Sequence, residues 1–473
     1  MSGRKTSTPM LNDKQSILIG NGMNINFGGR AYTNEFIIKR IIYNARANKY
    51  DVLFGGTTSG KEIALLFFEF AKWANEISAG KHDSAVLKED VQALESFKKR
   101  YDWHIQKYYE VGLEDWLFIA KVFMCENKDL EIPWETVKQG FERLILDSIY
   151  NDGDVNEIYL KMGKPVRKFL MKFDEIFTVN YDVNIEKLTG REVYHLHGSY
   201  EIPSNSENPR TVQGFIRTQK GESVTIPEFR HCYCNALLDY DGENKYKIAD
   251  ALERIDSKML PQIETKNLGR YEAMAREWLQ IKKEHPELSY GTKYHFEQLE
   301  NLSGDLHIVG LSPNNDSHIF RLIEKSNVQK IIFYYHSESD KNVRTEKEIE
   351  YVDVRKLWTN LGVSKPVYCF NYDLSPLKDD SMYKVICTLS GDEIDRETLI
   401  KEANKLPQYR IDQLCRKTYQ LIKDRINQKL ENEDELERAF CEISRIALRE
   451  GVLPSVLFVF FLKNFENLRK MDN

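Results

Sequence analysis

The sequence predicts an α/β protein built on a parallel β-sheet. Five short runs are almost continuously apolar and rich in β-branched or aromatic residues, which is typical of strands covered on both faces. Helical patterns separate these runs, as expected when helices connect parallel strands. The chain has 473 residues, of which 41% are hydrophobic, and this is sufficient for the cores of two or three domains.

The predicted strands all fall within residues 1–340, which we interpret as one Rossmann-like domain. Two large helical insertions interrupt it, from about residue 61 to 170 and from about residue 204 to 299. The strands are Ser16–Gly20, Asp174–Val179, Glu192–Leu196, Asp305–Gly310 and Gln329–Tyr335. Each is short and ends in residues that favour turns or loops.

Residues 341–473 are predicted to form a smaller C-terminal domain of mixed or helical structure. Two strand-like runs, Lys365–Phe370 and Met382–Leu389, precede a helical tail. The apolar run Val452–Leu462 in this tail contains a proline and is too short to span a bilayer, so it is interpreted as a core helix or a partner interface. We expect this domain to regulate the protein or to bind a partner.

Composition argues against several classes of protein. A formal net charge of -6 and a pI near 6.0 give no basic footprint of a dedicated nucleic-acid binder. The seven cysteines are scattered and include no CxxC pair, which argues against a disulfide framework and a four-cysteine zinc site. Without a secretory h-region or a membrane-spanning run, the chain is expected to be cytoplasmic and to have no membrane partner.

Glycines and polar residues follow four of the predicted strands. Open parallel sheets bind ligands at the carboxyl ends of their strands, so these residues are expected to share one crevice. Glycine lets a backbone approach a phosphate or ribose closely. The candidates are Gly20, Asn21, Gly22 and Asn24 after the first strand, Asn180, Tyr181 and Asp182 after the second, His197, Gly198 and Ser199 after the third, and Gly310, Ser312, Asn314, Asn315 and Asp316 after the fourth.

Four sequence blocks, in this order, resemble the sirtuin-like NAD-binding domain. The run Gly20–Asn24 resembles the family's GAG-x-S turn, and Thr178–Asp182 resembles its T-x-N-x-D segment. The block His195–Ser199 contains an HG pair like the family's catalytic pair, and Gly310–Ser312 resembles its late ribose-contacting turn. The resemblance covers scattered blocks within residues 15–336 and implies that NAD is the ligand.

The resemblance implies cleavage of the nicotinamide–ribose bond of NAD, a reaction that passes through an oxocarbenium-like state. Asn180 would position water, Asp182 would hold the carboxamide, and His197 would accept a proton from a ribose hydroxyl or the water. The other residues would bind the dinucleotide. Backbone N–H groups around Gly20, Asn21, Gly22 and Asn24 would hold the diphosphate if a helix follows, and Gly310, Ser312 and Asp316 would surround the adenosine ribose.

The chain lacks the paired cysteines of the sirtuin zinc module, which argues against protein deacylation. Its GNG, NYD and HLHG motifs resemble instead bacterial anti-phage proteins, namely sirtuin-like NAD hydrolases and AbiH-type abortive-infection proteins. That resemblance implies an NAD+ glycohydrolase effector that depletes cellular NAD after infection is sensed. NAD would be the substrate, no metal is expected, and the partner would be a second copy of the chain or a sensor, nucleotide-handling or ATPase subunit.

Other interpretations stay open. The crevice could belong to a nucleotide-binding sensor or assembly subunit that has no catalytic activity. Residues Gly55–Lys61 fit the GxxxxGK pattern of a P-loop NTPase, although Glu62 replaces the Ser or Thr that binds magnesium. The pair Gly20 and Gly22 is also typical of a tight bend beside a packed helix, and Asp316 is typical of a helix N-cap.

A metal site is a further alternative. His195 and His197 share one strand face, as metal-binding HxH pairs do, and a second group of possible ligands lies at His231, Cys232 and Cys234. Zinc would require these groups to converge in space. We therefore expect no metal in this protein.

Overall fold

The computed structural model describes residues 14–472 except 57, 131, 222–224, 254–271, 314–315, 364–371, 373, 375–376, 378 and 428–432. The chain divides into two compact units. Unit 1 contains residues 1–27 and 153–364, and unit 2 contains residues 28–152 and 365–473. Each unit is therefore assembled from two separate stretches of sequence. This division differs from the predicted one, in which residues 1–340 form one domain and residues 341–473 another.

Unit 1 is built on a six-stranded sheet in which every neighbouring pair of strands is parallel. The strands are β1 (Gln15–Ile19), β2 (Glu175–Thr178), β3 (Tyr194–His195), β4 (Ser303–Val309), β5 (Asn327–Tyr335) and β6 (Glu348–Asp353). Their order across the sheet is β3-β2-β1-β4-β5-β6. The predicted α/β class with a parallel sheet is confirmed.

All five predicted strands are present, and a sixth follows them. Strands β1, β2 and β5 contain buried apolar runs, as the near-continuous apolar patterns indicated. The missed strand is β6, which lies at the edge of the sheet and is only partly buried. Its sequence alternates charged residues with Ile349 and Tyr351, and it falls in the segment that had been assigned to the C-terminal domain.

The helices of unit 1 pack beside the sheet. Ile319, Leu322 and other residues of the helix Ser317–Lys325 share a buried apolar cluster with strand residues such as Leu18 and Leu306. The α-helices of this unit are Gly22–Gly28, Gly163–Leu170, Asn184–Thr189, Val212–Lys220, Gly242–Glu253, Glu272–Glu284, Phe296–Glu300, Ser317–Lys325 and Val354–Asn360. Short 3-10 helices span Asn151–Lys161, Pro227–Cys232 and Glu338–Lys341.

Among its described residues, unit 2 is built from helices joined by turns and loops, with no strand. Its α-helices are Asn34–Arg46, Gly60–Ser78, Val91–Arg100, Asp115–Glu126, Trp134–Tyr150, Asp380–Ser390, Arg396–Ala403, Gln408–Asn427, Glu433–Arg449 and Pro454–Asp472. Short 3-10 helices span Arg30–Tyr32, Asp83–Ala85, Lys88–Asp90 and Tyr108–Glu110. Phe36 and Tyr43 from the first stretch share a core with residues of the C-terminal helices. This shared core explains why the first predicted insertion and the C-terminal segment form one unit.

Two predictions in the C-terminal segment can be compared with the structure. The run Met382–Leu389 was predicted as a strand, but it lies in the helix Asp380–Ser390, where Asp379 caps the amides of Ser381 and Met382 and Gly391 ends the helix at φ +67°. Of the run Val452–Leu462, residues 452–461 are buried in the unit 2 core. Residues 454–462 of this run lie in the helix Pro454–Asp472, and they are packed into the core apart from the exposed Leu462. The other predicted strand, Lys365–Phe370, lies outside the described residues.

Candidate active site at the strand ends

The order of strands reverses between β1 and β4, because β2 and β3 lie on one side of β1 while β4 to β6 lie on the other. Such a switch point is where open α/β sheets form their ligand crevice. The glycines of the first and fourth loops meet here. A Cβ added to Gly20 would collide with the carbonyl oxygen of Gly310, and one added to Gly22 would lie 2.6 Å from the Gly310 Cα. Close backbone packing between the two loops therefore explains all three glycines.

The backbone amides of the first loop are already engaged. Gly20 donates to the Val309 carbonyl at 2.9 Å, Gly22 donates to the Gly310 carbonyl at 2.9 Å, and Met23 donates to the Gly20 carbonyl at 3.0 Å. A helix does follow, but it is only seven residues long, over Gly22–Gly28. A diphosphate held by the Gly20 and Gly22 amides, as predicted, would have to displace these hydrogen bonds.

Asn24 and Asp182 connect the first loop to the second. The Asn24 Nδ2 atom donates to Asp182 Oδ2 at 2.6 Å, and both side chains are 4% exposed. The other carboxylate oxygen accepts hydrogen bonds from Asn184, at 3.1 Å from its backbone amide and 2.6 Å from its Nδ2. Burial raises the pKa of the Asp182 carboxyl, and the hydrogen bonds from Asn24 and Asn184 act in the opposite direction. Asp182 therefore uses both oxygens to hold the loops together.

Asn180 lies beside the first glycine. Its Nδ2 atom donates to the Gly20 carbonyl at 3.3 Å, and its backbone amide donates to Thr178 Oγ1 at 3.0 Å. With the amide in this orientation, Oδ1 of Asn180 has no hydrogen-bond partner among the described residues. This oxygen can therefore accept a hydrogen bond from a ligand or water at the switch point.

His195 supports Asn180 from the next strand. Its Nδ1 atom lies 3.0 Å from the Asn180 carbonyl oxygen, and its Nε2 atom lies 2.6 Å from Glu186 Oε1. Burial opposes the charged form of His195, but the hydrogen bond and charge of Glu186 outweigh it and raise the pKa of the imidazole. Both ring nitrogens are used by protein partners, so this arrangement leaves His195 without a nitrogen for the HxH metal site.

His197 is positioned by the same strand pair but contacts a different partner. Thr178 pairs with His195 in the sheet, so Asn180 and His197 each follow this pair by two residues, in the loops after two adjacent strands. The Nε2 atom of His197 lies 2.9 Å from Nε2 of His318, with the two rings 13° from parallel. No hydrogen bond among the described residues joins His197 to Asn180 or Asp182. The strand register therefore places His197 and Asn180 at the same edge of the sheet, without a hydrogen bond between their side chains among the described residues.

Gly198 and Ser199 turn the chain after His197. Gly198 has φ +83°, and a Cβ there would collide with the backbone carbonyl of Asn235. The Ser199 amide donates to Asn235 Oδ1 at 2.8 Å, while the Leu237 amide donates to the His197 carbonyl at 2.7 Å. The segment around Asn235 therefore fixes the backbone that carries His197.

The loop after β4 is described only in part. Ser312 is exposed, and its carbonyl accepts a hydrogen bond from the Asp316 amide at 3.2 Å. Asp316 occupies the N-cap position of the helix Ser317–Lys325, yet its side chain makes no capping hydrogen bond. Asn314 and Asn315 lie outside the described residues. In the first loop, Asn21 is exposed.

Sequence reasoning missed His318, Glu186 and Asn235. Their contacts depend on the fold, because Glu186 meets His195 nine residues later, Asn235 meets Ser199 across 36 residues and His318 meets His197 across 121 residues. His318 offered a weak signal, since it lies two residues after the candidate Asp316. That position could have placed it on the list of crevice residues.

The GxxxxGK segment in unit 2 has a structural explanation. No strand precedes it, since residues 51–56 are turns, and Gly60 begins the helix Gly60–Ser78. Ser59 and Glu62 form a capping box, and the Gly60 amide donates to Asp51 Oδ1. Carboxylates therefore occupy the helix start where a P-loop would hold phosphate.

Comparisons with known protein families, curated proteins and solved structures found no match to this chain. Across the described residues, no helix combines the length and apolarity needed to cross a bilayer. The site is therefore described by its own geometry: the order of strands reverses beside β1, Asn180 donates to the Gly20 carbonyl there, and His197 and His318 form a buried imidazole pair.

Proposed function

We propose that unit 1 is a sirtuin-like NAD+ glycohydrolase domain that acts as an effector of anti-phage defence. The observation that carries the proposal is the location of Asn180 at the switch point. Its Nδ2 atom donates to the Gly20 carbonyl beside the reversal of strand order, and its Oδ1 atom makes no hydrogen bond with the described residues. A strand order of 3-2-1-4-5-6 is the arrangement in which dinucleotides bind across this crevice.

The proposed reaction breaks the bond between nicotinamide and ribose and adds water at the anomeric carbon. Asn180 Oδ1 would accept a hydrogen bond from that water and orient it toward the carbon as oxocarbenium character develops. His197 would contact a ribose oxygen. Asp182, whose oxygens are both engaged, would position Asn24 and Asn184 and would not hold the carboxamide directly.

The proposal is tested by nicotinamide release. Purified full-length chain, alone and with its neighbouring gene products or infected-cell extract, would be incubated with NAD and nicotinamide followed by chromatography. We expect Asn180→Ala to reduce release at least 100-fold, because one positioning contact to the attacking water is lost. Asn301→Ala is the matched control, since this exposed amide bonds only within its own helix turn. Parent-level release by Asn180→Ala would refute the assignment.

A non-catalytic nucleotide sensor is the second candidate. The observation that favours it is the engagement of predicted reactive atoms by protein groups, with Nε2 of His197 held by His318 and both Asp182 oxygens held by asparagines. A sensor would bind NAD in calorimetry without releasing nicotinamide under any condition. Absence of both binding and release would reject both candidates.

Control of such an enzyme is part of the proposal. NAD loss is lethal, so an active form must depend on a signal, a second copy or a partner subunit. The buried position of residues 452–461 shifts the search for that surface elsewhere in the protein. Activity that appears only when a neighbouring gene product is added would identify the partner directly.

A further inference from the structure

The imidazoles of His197 and His318 form a pair through their Nε2 atoms, and the Nδ1 atom of each ring makes no hydrogen bond with the described residues. The two Nε2 atoms lie 2.9 Å apart, so one proton lies between them and one ring donates to the other. The Nδ1 atom of His318 is fully buried and has no hydrogen-bond partner among the described residues. The Nδ1 atom of His197 makes no hydrogen bond with the described residues.

The charges around the pair keep both rings neutral. Burial, together with the positive charge of Lys245, lowers the pKa of both imidazoles well below the ordinary value. His318 lowers the pKa of His197 further, and Arg321 does the same for His318. The charged groups that act on the pair are therefore all cationic. At neutral pH each ring carries one proton.

Packing against Gly242 decides which nitrogen of His318 carries its proton. A Cβ added to Gly242 would lie 2.5 Å from His318 Nδ1, so this nitrogen faces backbone carbon and no acceptor. A buried N–H without an acceptor is rarer in proteins than an acceptor with an unused lone pair. The proton of His318 therefore belongs on Nε2, where it is donated to Nε2 of His197.

We propose that His318 is a positioning residue that fixes His197 as a neutral hydrogen-bond donor through Nδ1. Because Nε2 of His197 accepts from His318, its own proton lies on Nδ1. A ribose hydroxyl oxygen of the dinucleotide is the acceptor, and this part of the inference rests on the proposed function. This role involves no proton transfer between His197 and the ribose. His197 thus orients the ribose and does not serve as the general base that the sequence suggested.

The proton positions can be measured without any ligand. Nitrogen-15 NMR of histidine-labelled full-length chain distinguishes protonated from unprotonated ring nitrogens, and the His197→Asn and His318→Asn spectra assign the signals. We expect His197 to be protonated at Nδ1 and His318 at Nε2. The reverse pattern, with His197 protonated at Nε2, would overturn the inference even if the protein hydrolyses NAD.

Side-chain replacement tests the donor role. Asparagine places an amide nitrogen near the position of Nδ1, glutamine reaches toward the position of Nε2, and neither is a base. We expect His197→Ala and His197→Gln to weaken NAD binding about fivefold to tenfold, the value of one hydrogen bond, and His197→Asn to restore most of that loss. Equal affinity of the Ala and Asn variants would refute a donor at Nδ1.

His318 variants separate positioning from structural support. His318→Leu should let the His197 ring exchange between its two tautomers in the nitrogen-15 spectrum, whereas His318→Gln should keep a donor toward Nε2 and preserve the single form. A His197 spectrum that is unchanged in His318→Leu would overturn the positioning role. If the parent chain binds no NAD, the proposed function fails while the tautomer measurement still decides the state of the pair.

Discussion

Both units bury charged and polar side chains, but they use them differently. In unit 2 the buried cation Arg40 donates to carbonyls of three separate segments, at Ala31, Ser148 and Leu448. In unit 1 several buried polar side chains lie in the loops that follow the strands, among them Asn180, Asp182 and His197. Polar burial thus joins chain segments in unit 2 and is found at the carboxyl ends of the strands in unit 1.

The cation in unit 2 shows how a discontinuous unit is held together. Arg40 is 2% exposed and lies in the helix Asn34–Arg46. Ser148 and Leu448 lie at the carboxyl ends of two helices, whose last carbonyls lack helical partners and carry partial negative charge. Burial lowers the pKa of the guanidinium to about 10, so Arg40 remains charged at neutral pH. One side chain therefore satisfies helix ends from both stretches of unit 2.

The largest expected effect is the loss of this connection. Arg40→Met should lower the free energy of unfolding of unit 2 by about 3 to 5 kcal/mol, because three buried carbonyls lose a charged donor. Hydrogen exchange of the helices in unit 2 measures the change. Arg30→Met is the control, since Arg30 forms a partly exposed ion pair with Glu402 and should cost less than about 1 kcal/mol. Equal effects of the two changes would contradict the contrast drawn between the units.

A smaller effect is expected in unit 1 at the link between the first two loops. Asn24→Ala removes one donor from the buried Asp182 carboxylate and should lower the stability of unit 1 by about 1 to 2 kcal/mol. The two hydrogen bonds from Asn184 remain, which limits the loss. Exchange of the β1 amides reports the change. An unchanged β1 together with unchanged NAD affinity would show that the link supports neither the fold nor the crevice.

Acidification should affect unit 1 first. Folding lowers the pKa values of His197, His318 and His295, and lowers that of His307 to about 4, in each case chiefly through burial. These histidines therefore bind protons more readily in the unfolded chain than in the folded protein. Their contribution to stability is present above the ordinary histidine pKa of about 6.5 and is lost as the pH falls below it. His195 has a raised pKa and acts in the opposite direction, which reduces the net slope.

In unit 2 the group chosen for comparison is Glu450, which loses its contribution to stability at a lower pH than the histidines of unit 1. Burial raises the pKa of Glu450, but Arg410 and Lys417 outweigh it and lower the pKa below 4.5, so its contribution persists above that value. Between pH 7 and 5, exchange of sheet amides in unit 1 should therefore accelerate more than exchange in the helix Glu433–Arg449. Parallel acceleration in both units would contradict this difference.

The smallest effect is expected at the GxxxxGK segment. Lys61 is exposed at the start of a helix that Ser59 and Glu62 already cap. Lys61→Ala should change stability by less than about 0.5 kcal/mol and leave NAD affinity unaltered. ATP turnover that disappears in this variant would instead revive the P-loop interpretation.

Sequence patterns predicted the parts of the fold that depend on local chemistry. The apolar runs of β1, β2 and β5 were located because a strand buried on both faces leaves a continuous apolar signal. The edge strand β6 and the helix Asp380–Ser390 were missed, the first because half-exposed strands alternate and the second because its capping aspartate outweighed a strand-like run.

Local sequence patterns did not predict which distant segments contact each other. The sequence around Arg40 does not predict its hydrogen bond to the Leu448 carbonyl. Likewise, the sequence around His197 does not predict its contact with His318. For the candidate site, the sequence identified Asn180, Asp182 and His197 as residues of neighbouring loops, while the groups that hold each of them emerged only from the fold. Tertiary contacts of this kind depend on the whole topology.

The central strand of the sheet is also the first to be synthesised. Ile17 of β1 pairs with Ile176 on one side and with His307 on the other, so its neighbours leave the ribosome much later. Until then an apolar strand with two unpaired edges is exposed to other nascent chains. We therefore expect chaperones that shield extended apolar segments to govern the yield of this protein, and premature termination before β4 to leave aggregates.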